Sequence, residues 1–190
     1  MRALSLAAFL LLPLTAAAAS ADEISVETQR REAALAVVCR ALLEAPADLV
    51  WQTLTDYDHL SEFIPGMQRS RVIARSGRLA TVEQIGTAHF LFVSVPIEIT
   101  LAIAEHPPRA IEATMTRGNL RRMEGAYRIE ARGEGRLQLS WTGLIEAEAL
   151  PPLIGELLMR AAIADQFRGM VREIERRDAL RRGRAAEPRP

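Results

Sequence analysis

Residues 95–103 read Val95-Pro96-Ile97-Glu98-Ile99-Thr100-Leu101-Ala102-Ile103, an aliphatic side chain at every second position. Successive side chains of a strand point to opposite faces, so Val95, Ile97, Ile99, Leu101 and Ile103 share one surface. Downstream the same period returns in Ile111, Ala113 and Met115, in Met123, Gly125, Tyr127, Ile129 and Ala131, and in Leu137, Leu139, Trp141, Gly143 and Ile145. His106-Pro107-Pro108 and Gly133-Glu134-Gly135 supply breaks between these runs. Upstream, 79–93 reads as one strand ending in Phe90-Leu91-Phe92-Val93, and 67–75 as another, with Ser76-Gly77 as the turn. Residues 22–44 read as a single long or broken strand. Repeated alternation of this kind defines an antiparallel sheet with one covered and one wet face.

The cover comes from the end of the chain. From Leu153 to about Arg182, residues Ile154, Leu157, Leu158, Ala161, Ala164, Phe167, Val171 and Ile174 recur at helical spacing. Gly169 interrupts this helix and allows a close approach to the sheet, while residues 181–190 read as a fraying tail. Between the first strand and the second lie two short helical segments, Ala47–Thr55 and Tyr57–Phe63, the latter with Asp56 as its cap and Pro65-Gly66 as its stop. The expectation is an α+β fold: a curved antiparallel sheet of about seven strands wrapped on one long C-terminal helix.

Composition bounds the function. The 190 residues are 49% hydrophobic and 25% charged, with 24 basic and 24 acidic side chains. Formal neutrality gives no global attraction to nucleic acid. Met1-Arg2, an apolar stretch to Leu14 and Ala19-Ser20-Ala21 follow the plan of a secretory signal peptide. The expected organisation is therefore a signal peptide over 1–21, a ligand-binding domain over 22–180 and the tail over 181–190, in a periplasmic or secreted protein. Cys39 is the single cysteine and lies in an apolar run, which reads as a buried, inert thiol.

The stretch Leu54-Thr55-Asp56-Tyr57-Asp58-His59-Leu60-Ser61-Glu62-Phe63-Ile64-Pro65-Gly66 followed by Ser70-Arg71-Val72 carries a resemblance. With Ala45-Pro46, Val50-Trp51, Arg117-Gly118, Glu124-Gly125-Ala126-Tyr127 and the helix after Pro151-Pro152, it resembles the START-like, helix-grip superfamily. Within it the chain is similar to the polyketide cyclase/dehydrase and coenzyme Q-binding protein group, over about residues 24–178. The resemblance implies a cavity between sheet and helix that holds a lipid, isoprenoid quinone or polyketide-like molecule.

On the residues themselves, the inward apolar set must either fill a core or line such a cavity, expected to measure about 300–1,000 Å³ if it is a ligand site. Its candidate ligand contacts are Phe63, Ile64, Phe90, Phe92, Val95, Ile97, Ile99, Met115, Arg117, Met123, Tyr127, Trp141 and Leu157, with the Phe63–Met67 turn as a lid facing Leu153–Leu158. Glu83, Arg117 and Arg121 read either as a solvated strand edge or as an anchor for a carboxylate or a quinone carbonyl, with an arginine supplying the charge-assisted hydrogen bond. No H-x-H, H-E-x-x-H, C-x-x-C, G-x-S-x-G or phosphate-binding glycine loop occurs, so neither a metal, a cofactor nor a catalytic constellation is expected. The competing reading is a cyclase/dehydratase-type enzyme using His89, Tyr127, Glu83 or Arg117. A third is an interaction module in which the sheet edge or the basic helix end, Arg176, Arg177, Arg181, Arg182 and Arg184, docks on a partner or makes transient contact with an anionic membrane.

Overall fold

The computed structural model describes residues 24–147 and 152–186. The proposed signal segment, residues 1–21, and the last four residues of the tail lie outside the described residues.

Eight strands form one antiparallel sheet, one more than the alternation shows. In chain order they are β1 (Ser25–Arg31), β2 (Ala34–Leu43), β3 (Met67–Ser76), β4 (Leu79–Phe90), β5 (Val93–His106), β6 (Ala110–Gly118), β7 (Arg122–Ala131) and β8 (Leu137–Glu146). Their spatial order is β1-β2-β8-β7-β6-β5-β4-β3. Helices α1 (Ala47–Leu54) and α2 (Leu60–Phe63) follow β2, and α3 (Pro152–Ala186) closes the chain. The extra strand comes from splitting the single strand read over 22–44. Its hairpin turns at Glu32, which takes φ 56° with no Gly, Asn or Pro to announce it.

The inner face is the alternating set, packed on the buried stripe of α3: Leu158, Met159, Ile163, Phe167, Met170, Val171 and Ile174. This stripe is rotated from the one read in the sequence, and Leu157 is 39% exposed. Further along, α3 runs to Ala186 rather than ending near Arg182. Its last turns are tied back by Arg181 to Asp48 (3.1 Å) and by Arg182 to the Glu44 carbonyl (3.5 Å).

Two local features depart from simple alternation. A bulge between Val72 and Ala74 shifts the register of β3, so that Ile73 is exposed and Arg75 reaches Glu105 (3.0 Å) and the Tyr57 ring (5.7 Å). A bulge of this sort re-aims every later side chain of its strand. Asp58 pins the site by accepting the Val72 N–H at 2.8 Å. Asp56 does not cap the following turn: its carboxylate accepts instead from His59 (2.6 Å) and Arg177 (2.8 Å), which joins the α1–α2 region to α3. Among the described residues no helix is long and apolar enough to cross a membrane.

Candidate ligand-binding cavity

A sheet bent round a helix leaves space where its inner side chains are small, and here glycine makes that space. Gly125 and Gly143 face each other across β7 and β8. A Cβ on Gly143 would lie 2.1 Å from the Trp141 ring and one on Gly125 3.0 Å from it, so the indole lies flat over both glycines. Phe167 of α3 stacks on Tyr127 with ring centroids 6.4 Å apart. Between these aromatic walls and the aliphatic side chains of β5 and β6 is a cavity of about 170 Å³.

Six of the sequence candidates belong to its wall: Ile64, Ile97, Ile99, Met123, Tyr127 and Trp141. The wall also includes Leu54, Tyr57, Ile111, Met159, Ile163 and Met170, which the strand-based reading did not select. Leu54 and Tyr57 enter because the α1–α2 segment packs against β3 and α3. The methionines enter because the helix stripe is rotated.

The other candidates lie elsewhere. Phe92 is 93% exposed, because the chain turns at Leu91-Phe92 and 79–93 is not one strand. Leu157 faces away on the rotated helix, and Arg117 is exposed near the end of β6. Phe63 does not close a lid over the cavity; its ring is held under the Arg177 guanidinium at 5.4 Å. Val95 and Met115 pack against the core outside the cavity wall. The Phe90 side chain lies outside the described residues. Gly169 brings α3 against the Phe63–Pro65 segment rather than the sheet: a Cβ there would sit 2.5 Å from Pro65 Cδ.

The groups weighed for catalysis are dispersed. His89 is exposed and meets Ser94 Oγ at 2.9 Å, while Glu83 accepts from Arg69 at 2.7 Å. Arg121 pairs with Glu146 at 3.4 Å. Tyr127 alone of the four proposed groups lines the cavity. Burial pushes its phenol well above the ordinary tyrosine range, and does the same to Tyr57, aided by the negative charge of Glu105. Both phenols therefore stay protonated and can donate hydrogen bonds but not serve as bases at neutral pH. The Tyr57 hydroxyl is buried without a hydrogen-bond partner. Cys39, fully buried, has its thiol pushed up to about 11 by burial and is no nucleophile near neutrality.

No charged side chain is among the described residues of the cavity wall; its polar members are Gln84, Thr87, Gln166, the two tyrosines and Trp141. No group of three or more potential metal ligands occurs among the described residues. The wall is least covered at Gly66 and Gln166, which are exposed, and at half-buried Met67, Gly86, Thr87, Leu120 and Ala162. That rim is the mouth. A second depression of about 220 Å³, bordered by Arg30, Arg121, Glu146 and Glu156, is a polar surface groove.

A curved antiparallel sheet gripping one long helix around an apolar cavity defines the helix-grip class of small-molecule-binding folds. The sequence places the chain more narrowly: residues 43–171 match the family described as polyketide cyclase / dehydrase and lipid transport, and the chain belongs to it. Among solved structures it is similar to the Zhui aromatase/cyclase from Streptomyces sp. R1128, with TM-score 0.64 and 20% identity over 76% of this chain and 95% of that one. It is also similar to a START superfamily protein from Mycobacterium smegmatis, with TM-score 0.63 and 14% identity over 74% and 97%. At these identities the likeness concerns the fold. A search of curated proteins by sequence returned no match.

Proposed function

We propose that the protein binds a neutral, hydrophobic small molecule between its sheet and α3, and does so after export from the cytoplasm. The supporting observation is the uncharged, largely apolar cavity of about 170 Å³ with a mouth at Gly66 and Gln166. A buried carboxylate or ammonium would find no counter-charge there, and desolvating an unpaired charge costs far more than apolar contacts return. A carbonyl or hydroxyl, by contrast, would find a donor in the Tyr127 phenol. This replaces the expected Arg117 anchor.

The volume narrows the ligand. It falls below the roughly 300–1,000 Å³ of sites that enclose a drug-sized molecule. An apolar cavity of about 150 Å³ holds benzene. The space here suits one ring or a short run of acyl carbons, with the rest of a longer molecule at the mouth. A quinone ring, a lipid tail end or a polyketide ring all meet that description.

The cyclase-type reading draws on the family and on the aromatase/cyclase neighbour, but of its four residues only Tyr127 reaches the cavity. Binding is therefore the better supported function. Export is supported by the charged, apolar and small-residue order of residues 1–21.

Both parts are testable in one preparation. Protein purified without detergent from its own host, then denatured and extracted, should release a neutral apolar compound, and its intact mass should correspond to a chain beginning at Asp22. Release of nothing, together with failure of the purified protein to take up a fluorescent lipid analogue, would remove the binding proposal. An intact mass that retains residues 1–21 would remove the export proposal.

A further inference from the structure

The β4–β5 hairpin reaches beyond the sheet on both sides. β3 pairs with β4 only as far as Gly86, and β6 pairs with β5 only from Ile99. The arm between them, 87–98, turns at Leu91-Phe92, where Leu91 is 82% and Phe92 93% exposed. Tight hairpin turns favour Asn, Asp or Gly, because a turn residue must take positive φ. Here Leu91 takes φ 53° instead, so the chain departs from ordinary turn chemistry to put apolar side chains in water. Local choices that contradict the fold's own preferences occur at functional or strained positions.

The arm carries no charged side chain before Glu98 at its base: from Gln84 to Ile97 there is no Asp, Glu, Lys or Arg. Its strands stay paired up to Phe90 and Val93, with the His89–Ser94 hydrogen bond just below the turn. At its base, Gly66, Gly86 and Thr87 belong to the cavity mouth, and the Thr87 N–H donates to the Gly66 carbonyl at 2.7 Å. Thr87 and Leu91 are four residues apart along an extended strand, which spans roughly 13 Å. The apolar tip therefore stands next to the opening.

We propose that Leu91 and Phe92 insert into a lipid bilayer surface and present the cavity mouth to it, so that the ligand passes between bilayer and cavity. The proposal rests on the binding reading above. A second copy of the chain is the weaker occupant. Two such side chains expose roughly 300 Å² per copy, so tip-to-tip contact, about 600 Å² over both copies, falls short of the about 1,200 Å² that a specific interface needs. A bilayer needs no complementary partner surface, and the tip itself has no carboxylate to repel anionic headgroups, Glu98 lying at the base of the arm. The basic end of α3 is the less favoured surface, because four of its five arginines, Arg176, Arg177, Arg181 and Arg182, are paired with the protein's own carboxylates.

The test is flotation of the full exported chain with vesicles of equal parts phosphatidylethanolamine and phosphatidylglycerol. The wild-type protein should float, and Leu91→Ser combined with Phe92→Ser should lower its vesicle affinity roughly tenfold or more. Phe92→Trp, in a background with Trp51→Phe and Trp141→Phe, should shift its emission to the blue when vesicles are added. The cavity variant Ala113→Leu should float like wild type. Equal flotation of the double-serine variant, or unchanged Phe92→Trp emission, overturns the proposal and leaves the binding reading standing. Loss of a wild-type dimer in the double-serine variant would assign the tip to a second copy and likewise overturn it. Failure of Ala113→Leu to bind ligand while it still floats separates the two claims.

Discussion

Gly143 and Trp141 show how much of the cavity depends on an absent side chain. The indole occupies the place a Cβ at position 143 would fill, 2.1 Å from it. Gly143→Ala should therefore displace the ring into the cavity, or strain it off its rotamer, at a cost of about 1–3 kcal/mol as in other overpacked sites. Chemical denaturation should show a lowered midpoint with an unchanged slope, and ligand affinity should fall in parallel. Wild-type stability and affinity would contradict the stacking of Trp141 on the two glycines. The sequence marked both glycines as inward-facing, but alternation alone does not say that they make room for a neighbour two residues away.

At the level of elements, the junction of the α1–α2 region with α3 is held by charge. Glu173, 7% exposed at its side chain, accepts from Arg176 and Arg177, and Asp56 accepts from Arg177 and His59. The Arg176 hydrogen bond leads in holding the Glu173 carboxyl below its ordinary range. For Asp56, burial pulls upward, but the bonds from His59 and Arg177 outweigh it and its carboxyl is also lowered. A lowered carboxyl stabilises the fold above its unfolded value and loses that contribution as pH falls through the folded one. His59 runs the other way: raised by the Asp56 hydrogen bond, it contributes below its ordinary 6.5 and loses this as pH rises through the folded value. Stability should thus be highest between about pH 4.5 and 6.5, fall in acid and decline slightly in alkali. Arg177→Met keeps an aliphatic stem but removes the guanidinium over Phe63 and leaves both carboxylates short of a partner. With the pair partly screened by solvent, the cost should be about 1–2 kcal/mol at neutral pH. The acid loss should shrink in that variant when denaturation midpoints are compared across pH; an identical acid slope would show that Arg177 does not couple these elements.

This junction was legible in part. The sequence showed Asp56 at the start of a helical turn, and capping was the local reading; its ion pair spans 121 positions, which no local pattern reveals. The β4–β5 turn was missed for a related reason. Phe90-Leu91-Phe92-Val93 has the composition of a buried strand, and nothing in it signals a reversal. The β3 bulge likewise sends Arg75 to the Tyr57 side without any sequence mark.

For the whole molecule, the architecture was written in period-two and helical-period patterning: five consecutive strands from β4 onward and the covering helix follow from which side chains must leave water. Patterning gives a face but not a radius of curvature. Hence the aliphatic and aromatic members Ile97, Ile99, Met123, Tyr127 and Trp141 were identified, while the free volume of about 170 Å³, smaller than expected, emerged only from the packing of α3 and of Leu54 and Tyr57 beneath it. The proposal of a neutral ligand draws on the same geometry, since no charged side chain is among the described residues of the cavity wall.

Tryptophan fluorescence examines that enclosed space most directly. With Trp51→Phe, Trp141 in the cavity wall is the single indole emitter, one of the chain's two tryptophans having been removed. Titration with a neutral naphthalene-bearing lipid analogue should change its emission saturably at one probe per chain, and Ala113→Leu, which adds side-chain volume to the wall, should abolish the change. Emission that stays constant through the titration, or a response that survives Ala113→Leu undiminished, would contradict ligand binding between the sheet and α3.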